Sequence, residues 1–114
     1  MTTRIFSPNE QVRDTDGTLR WSIIIRKTFR QQNLTIGTSA VKIPTSPLSD
    51  RINILIVNNS TSGQILYLGD STVSTANGIP IYPRQSLPIT IEDGVDIYGV
   101  SSAAGADIRI IEGS

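Results

Sequence analysis

Residues 51–69 read RINILIVNNSTSGQILYLG, and this stretch decides the fold class. Ile52, Ile54 and Ile56 alternate with Asn53, Leu55 and Val57, so the strand they form is apolar on both faces. A strand of that kind is expected in the middle of a sheet, covered on each side. Asn58 to Gly63 is a run of turn-forming residues, and Gln64 to Leu68 runs on as a second strand that Gly69-Asp70 stops. The pattern predicts a hairpin with a loop of about six residues at the centre of an antiparallel all-β domain.

Working outward, the same grammar repeats. Leu34-Thr35-Ile36 stops at Gly37, and Ala40 to Ile43 stops at Pro44. Gly78 to Pro83 holds two prolines, which confine it to an edge or a loop. Leu87, Ile89 and Ile91 alternate with Pro88, Thr90 and Glu92. Glu92-Asp93-Gly94 reads as a hairpin turn leading into Val95–Val100. Ala106 to Glu112 closes the domain, with Ile108 and Ile110 facing in and Ile111 facing out or towards a partner. Seven or eight short, evenly spaced strands predict a β-sandwich or barrel over residues 33–114.

Residues 1–32 read differently, as an extended N-terminal arm. Ser7-Pro8-Asn9 and Asp14-Thr15-Asp16-Gly17 are turn signals. The second opens like a calcium loop, but Ile25 stands where the closing Glu belongs. Trp21, Ile23, Ile25 and Phe29 then share one side at period two, a strand pattern that calls for pairing, either as the first strand of the sandwich or, as the polar joint Gln31-Gln32 favours, along a neighbouring subunit. The arm carries Arg4, Arg13, Arg20, Arg26, Lys27 and Arg30 against Glu10, Asp14 and Asp16, a net +3; residues 33–114 carry the compensating −3. A basic arm on a mildly acidic module fits docking on an acidic surface or on another copy. Fully extended, residues 1–32 would span about 100 Å, enough to cross a neighbour.

The 114-residue chain contains no cysteine and no histidine. That excludes disulfides, cysteine zinc sites and histidine general bases. No apolar run approaches the roughly 20 residues that span a bilayer, and the N-terminus lacks a signal-peptide core. Glu92, Asp93 and Asp96 cluster at one turn, but a cation site needs further converging oxygens and glycosidase chemistry needs acids across a cleft. Tyr67, Tyr82 and Tyr98 read as amphipathic wall residues. The arm's charge is too dispersed for nucleic-acid recognition. The chain is expected to be no enzyme and to need no cofactor or metal. A module of some 80 residues is marginal alone, so a homo-oligomer, dimer or trimer, is expected.

The order of phrases IVNNS, ILYLGDSTVSTANGIPI, DIYGVSS and ADIRIIE, between Arg51 and Glu112, resembles a small β module of tailed-phage virion proteins. The resemblance implies a jelly-roll-like antiparallel β-sandwich and a role in virion structure, as a capsid cement (decoration) or head-fibre protein made in the host bacterial cytoplasm. It transfers no catalytic residue. On that reading the major capsid protein is the partner, with no nucleic acid and no membrane involved. Arg4, Phe6, Arg13, Trp21, Ile23, Ile25, Arg26, Lys27, Phe29 and Arg30 are the expected contacts of the arm. The alternative expectation is a tail or head-fibre module that binds host-surface glycans through the loops at Ser60–Gly63, Asp70–Asn77 and Ser101–Gly105.

Overall fold

The computed structural model describes residues 27–114, together with a short backbone ladder nearer the N-terminus. In that ladder β1 (Val12–Arg13) pairs antiparallel with β2 (Leu19–Arg20), bracketing the segment read as a turn. Of the expected arm contacts, Arg4, Phe6, Trp21, Ile23, Ile25, Arg26 and the Arg13 side chain lie outside the described residues.

Eight strands follow: β3 (Phe29–Ile36), β4 (Val41–Ile43), β5 (Asn53–Asn58), β6 (Leu66–Gly69), β7 (Ile79–Ile81), β8 (Ser86–Thr90), β9 (Ile97–Ser101) and β10 (Ala106–Gly113). They form two antiparallel four-stranded sheets, ordered β3-β10-β5-β8 and β4-β9-β6-β7. The chain alternates between the sheets at every step except β6 to β7. That order is the jelly roll, so the fold expected from the sequence is the fold observed.

The hairpins expected along the sequence are not what builds it. β5 and β6 do not pair with each other, because Asn58–Ile65 is an arch that carries the chain from one sheet to the other. Glu92-Asp93-Gly94 is likewise an arch, from β8 to β9, with Gly94 at φ 86°. The one hairpin between consecutive sandwich strands is β6–β7. The arm boundary also shifts. Phe29–Gln32 lie in β3 and pair with Ile110–Gly113 of β10, so the sandwich takes up residues that the sequence reading assigned to the arm.

Between the sheets lies an aliphatic core that includes Ile36, Ile43, Ile54, Ile56, Leu66, Leu68, Ile108 and Ile110. Gly99 of β9 is required there, because the Ile43 side chain occupies the place where a Cβ would stand. The register places the connections at two ends. The loops 37–40, 59–65, 82–85 and 102–105 share one end, here the top. The loops 44–52, 70–78 and 91–96 share the bottom, where the chain enters the sandwich at Lys27.

Candidate interaction surface

Successive strand residues face opposite sides of a sheet, so an apolar residue of outward parity has to find some other cover. On the outside of β3-β10-β5-β8 the register lines up Gln31, Ile111, Leu55 and Pro88 in one row. Asn33, Arg109, Val57 and Ser86 form the next. Leu55, Val57, Pro88 and Ile111 are half-buried, whereas their neighbours Ile54, Ile56 and Ile110 are fully enclosed. The twist of the sheet makes an open groove of ≈ 460 Å³ here, with Leu55, Val57 and Ile111 as its apolar floor and Gln31, Asn33 and Arg109 beside them. β5 is therefore interior to its sheet, as expected, but covered on one face only. Phe29 has the same outward parity at the bottom of β3 and is 57% exposed.

Arg109 bounds the groove towards the top and is held there. Its Nε and Nη2 donate to Oδ1 and Oδ2 of Asp107 at 2.9 and 3.1 Å. Asn59 Nδ2 donates to the same carboxylate at 3.0 Å, and Arg84 Nη1 donates to Asn59 Oδ1 at 2.8 Å. The Arg109 guanidinium, then the Asn59 amide, hold the Asp107 carboxyl below the usual carboxylate range, with burial pulling weakly the other way. The same pair raises the pKa of Arg109. The groove is thus bordered by a neutralised cation rather than a free one.

At the bottom the inward residues of the same sheet turn ionic. Glu112 is fully buried, and its Oε2 accepts from Arg51 Nη1 at 2.8 Å; Arg51 itself is 1% exposed. The backbone N of Leu48 donates to Oε2 at 3.1 Å, and Arg30 Nη2 donates to Oε1 at 3.1 Å. Arg51 Nη2 also donates to the carbonyl of Val95 at 2.7 Å, and Arg30 Nη2 to the carbonyl of Ser46. A buried carboxylate is tolerable only with such partners. This cluster ties β3 and β10 to two bottom loops and is a structural clamp. Arg30, expected as a partner contact, spends its guanidinium on the clamp. Lys27 and Phe29 remain exposed. No local signal in the sequence marks Arg51 and Glu112 as partners.

Two of the three acids weighed as a cation site are separately engaged. Asp93 Oδ1 accepts from the Asp50 backbone N at 3.1 Å, and Asp96 stands 3.7 Å from Lys42 Nζ. No group of three or more His, Cys, Asp or Glu among the described residues could hold a metal ion. Tyr67 and Tyr98 are half-buried on the outside of the second sheet, and Tyr82 is exposed. The three loops weighed for glycans do not come together. Ser60–Gly63 and Ser101–Gly105 meet at the top, where Ile65 N donates to Ser102 Oγ at 2.9 Å and Asp107 N to Ser60 Oγ at 3.0 Å. Asp70–Asn77 sits at the bottom, closed on itself by Thr72 N and Oγ1 donating to Asp70 Oδ1 at 2.8 and 2.6 Å. The Thr72 hydroxyl, then its N–H, lower the pKa of Asp70.

No family model matches the chain, and no curated protein matches it. Among solved structures, one from work on Bacillus endospore appendages, a family of disulfide-linked pili, aligns over 85% of this chain and 97% of that one. The identity is 17% and the TM-score 0.39, and the jelly-roll assignment rests on strand order instead.

Proposed function

We propose that this chain is a structural protein of a tailed-phage virion, of the cement type, that binds the assembled head lattice as a homo-oligomer through its N-terminal arm. One observation carries the reading: the arm joins the module at the bottom of an edge strand, beside a sheet face whose aliphatic residues the module leaves half-open. Such a face is built for a partner. The phrase order between Arg51 and Glu112 supports the virion setting. The mechanism is multivalent. Each copy makes weak contacts to the major capsid protein through Arg4, Phe6, Arg13 and their neighbours, and the lattice multiplies them. Binding only the assembled state stabilises that state by mass action.

The test is co-sedimentation with purified heads. A chain lacking residues 1–26 keeps all of β3 and should stay folded by circular dichroism while losing the heads. Undiminished binding by that truncated chain would overturn the arm's role. Quantitative mass spectrometry of virions should find copy numbers comparable to the shell protein, and a handful of copies would move the protein to the tail or connector.

A further inference from the structure

The groove on the outside of β3-β10-β5 needs a cover, and the course of the chain at Lys27 decides which cover fits. Thr28 and Lys27 prolong β3 downward, tied to Ser114. Ser114 N donates to Thr28 O and Lys27 N to Ser114 O, both at 2.9 Å, and the Thr28 and Ser114 hydroxyls meet at 2.8 Å. Followed backwards, the chain therefore leaves the sandwich heading away from the groove, which lies up the strand at Gln31 and Asn33. A reversal takes a four-residue turn. The tightest one that ends at Lys27 spends Ile24 to Lys27 and brings Trp21 level with Arg30 at best, beside β3 and short of the groove. With the Lys27–Ser114 bond in place, such a turn brings the chain's own Trp21 to the lower margin of the groove at most and leaves its Ile23 and Ile25 short of Leu55, Val57 and Ile111.

Trp21, Ile23 and Ile25 nevertheless have the matching pattern. They put three apolar side chains on one side at period two, the spacing at which outward residues repeat along β3, β5 and β10. Residues 1–26, the part of the chain outside the sandwich, carry a net +1 and residues 27–114 a net −1, so charge does not oppose one copy's arm on another copy's module.

We infer that residues Trp21–Ile25 of one copy dock in the β3-β10-β5 groove of a second copy, so that the protein self-associates by arm exchange. Trp21, Ile23 and Ile25 cover Leu55, Val57 and Ile111, and residues further towards the N-terminus run on past the second copy. The inference concerns the contact of the protein with itself and stands whether or not the lattice reading does.

Because the chain has no cysteine, the contact can be trapped in the full-length protein. Copies carrying Ile23→Cys are mixed with copies carrying Asn33→Cys and mildly oxidised. A disulfide-linked dimer with one chain of each kind is the expected main product. Ile23→Cys mixed with Thr75→Cys, in the 70–78 loop of the other sheet, should give several-fold less. In sedimentation, the full chain should run as an oligomer, and the triple variant Trp21→Ser, Ile23→Ser, Ile25→Ser should run as a folded monomer. A bond closing within a single chain that carries both Ile23→Cys and Asn33→Cys would show the arm on its own module and overturn the inference. So would a full-length protein that stays monomeric without cross-linking, which would leave the groove to a different protein.

Discussion

On the outside of β4-β9-β6-β7 the chain covers itself. Val73 packs against Gly69, Gly78 against the Cβ of Tyr67, and Val73 and Val100 are 7% and 4% exposed. On the outside of β3-β10-β5-β8, Leu55, Val57 and Ile111 border an open groove. Both faces carry apolar residues of outward parity. They differ in that the β6–β7 loop is long enough to fold back over one sheet, while the connections around the other lead away from it. An outward aliphatic row is thus covered from within where a loop can reach it and left for another chain where none can.

Substitutions can break or sharpen this contrast. The inward side sets the scale. Glu112→Ala leaves Arg51 buried without its carboxylate, and should cost about 3–5 kcal/mol in urea unfolding. A loss below about 1 kcal/mol would mean that the clamp is not the anchor of the bottom end. A smaller effect separates the outer faces directly. Val73→Ala, in the loop that covers the sheet, should cost about 2 kcal/mol, and Val57→Ala, at the groove, about 1 kcal/mol or less in a monomeric background. Equal losses would erase the difference between the faces. The smallest effect is a pH dependence at the rim of the groove. The carboxyl of Asp107 is lowered in the folded state, so its contribution to stability is full above the unfolded carboxylate value near pH 3.9 and is lost as the pH falls through the folded value. Its partner Arg109 is 55% exposed, so solvent keeps the contribution small. Unfolding followed from pH 6 to pH 2 should show a shallower acid limb for Asp107→Asn, and an unchanged limb would remove the pair from the account.

The strands were legible in the sequence because period-two alternation and β-branched residues are local. Their pairing was not. Asn58–Gly63 and Glu92-Asp93-Gly94 announce that the chain reverses, but the same turn chemistry serves a hairpin and an arch, and the choice depends on which sheet accepts the next strand. The bare face was half legible. Ile111 reads as an outward apolar residue, but Leu55 and Val57 read as the second covered face of a central strand, and only the register shows that the three share one open groove. Arg51 and Glu112 stand 61 positions apart and meet solely through the β3-β10-β5 order.

The strand order has a kinetic consequence. β10, the last of the eight sandwich strands along the chain, is inserted between β3 and β5, and pairs Gly113 with both Phe29 and Asn53. On the ribosome, neither β3 nor β5 can complete its hydrogen bonding until Ala106–Gly113 has been made. Contacts this remote in sequence make folding slow, and unpaired apolar edges in a waiting intermediate invite aggregation. The nascent chain spends that interval with two strands exposed, and a crowded assembly line of identical copies is where such strands would find each other first.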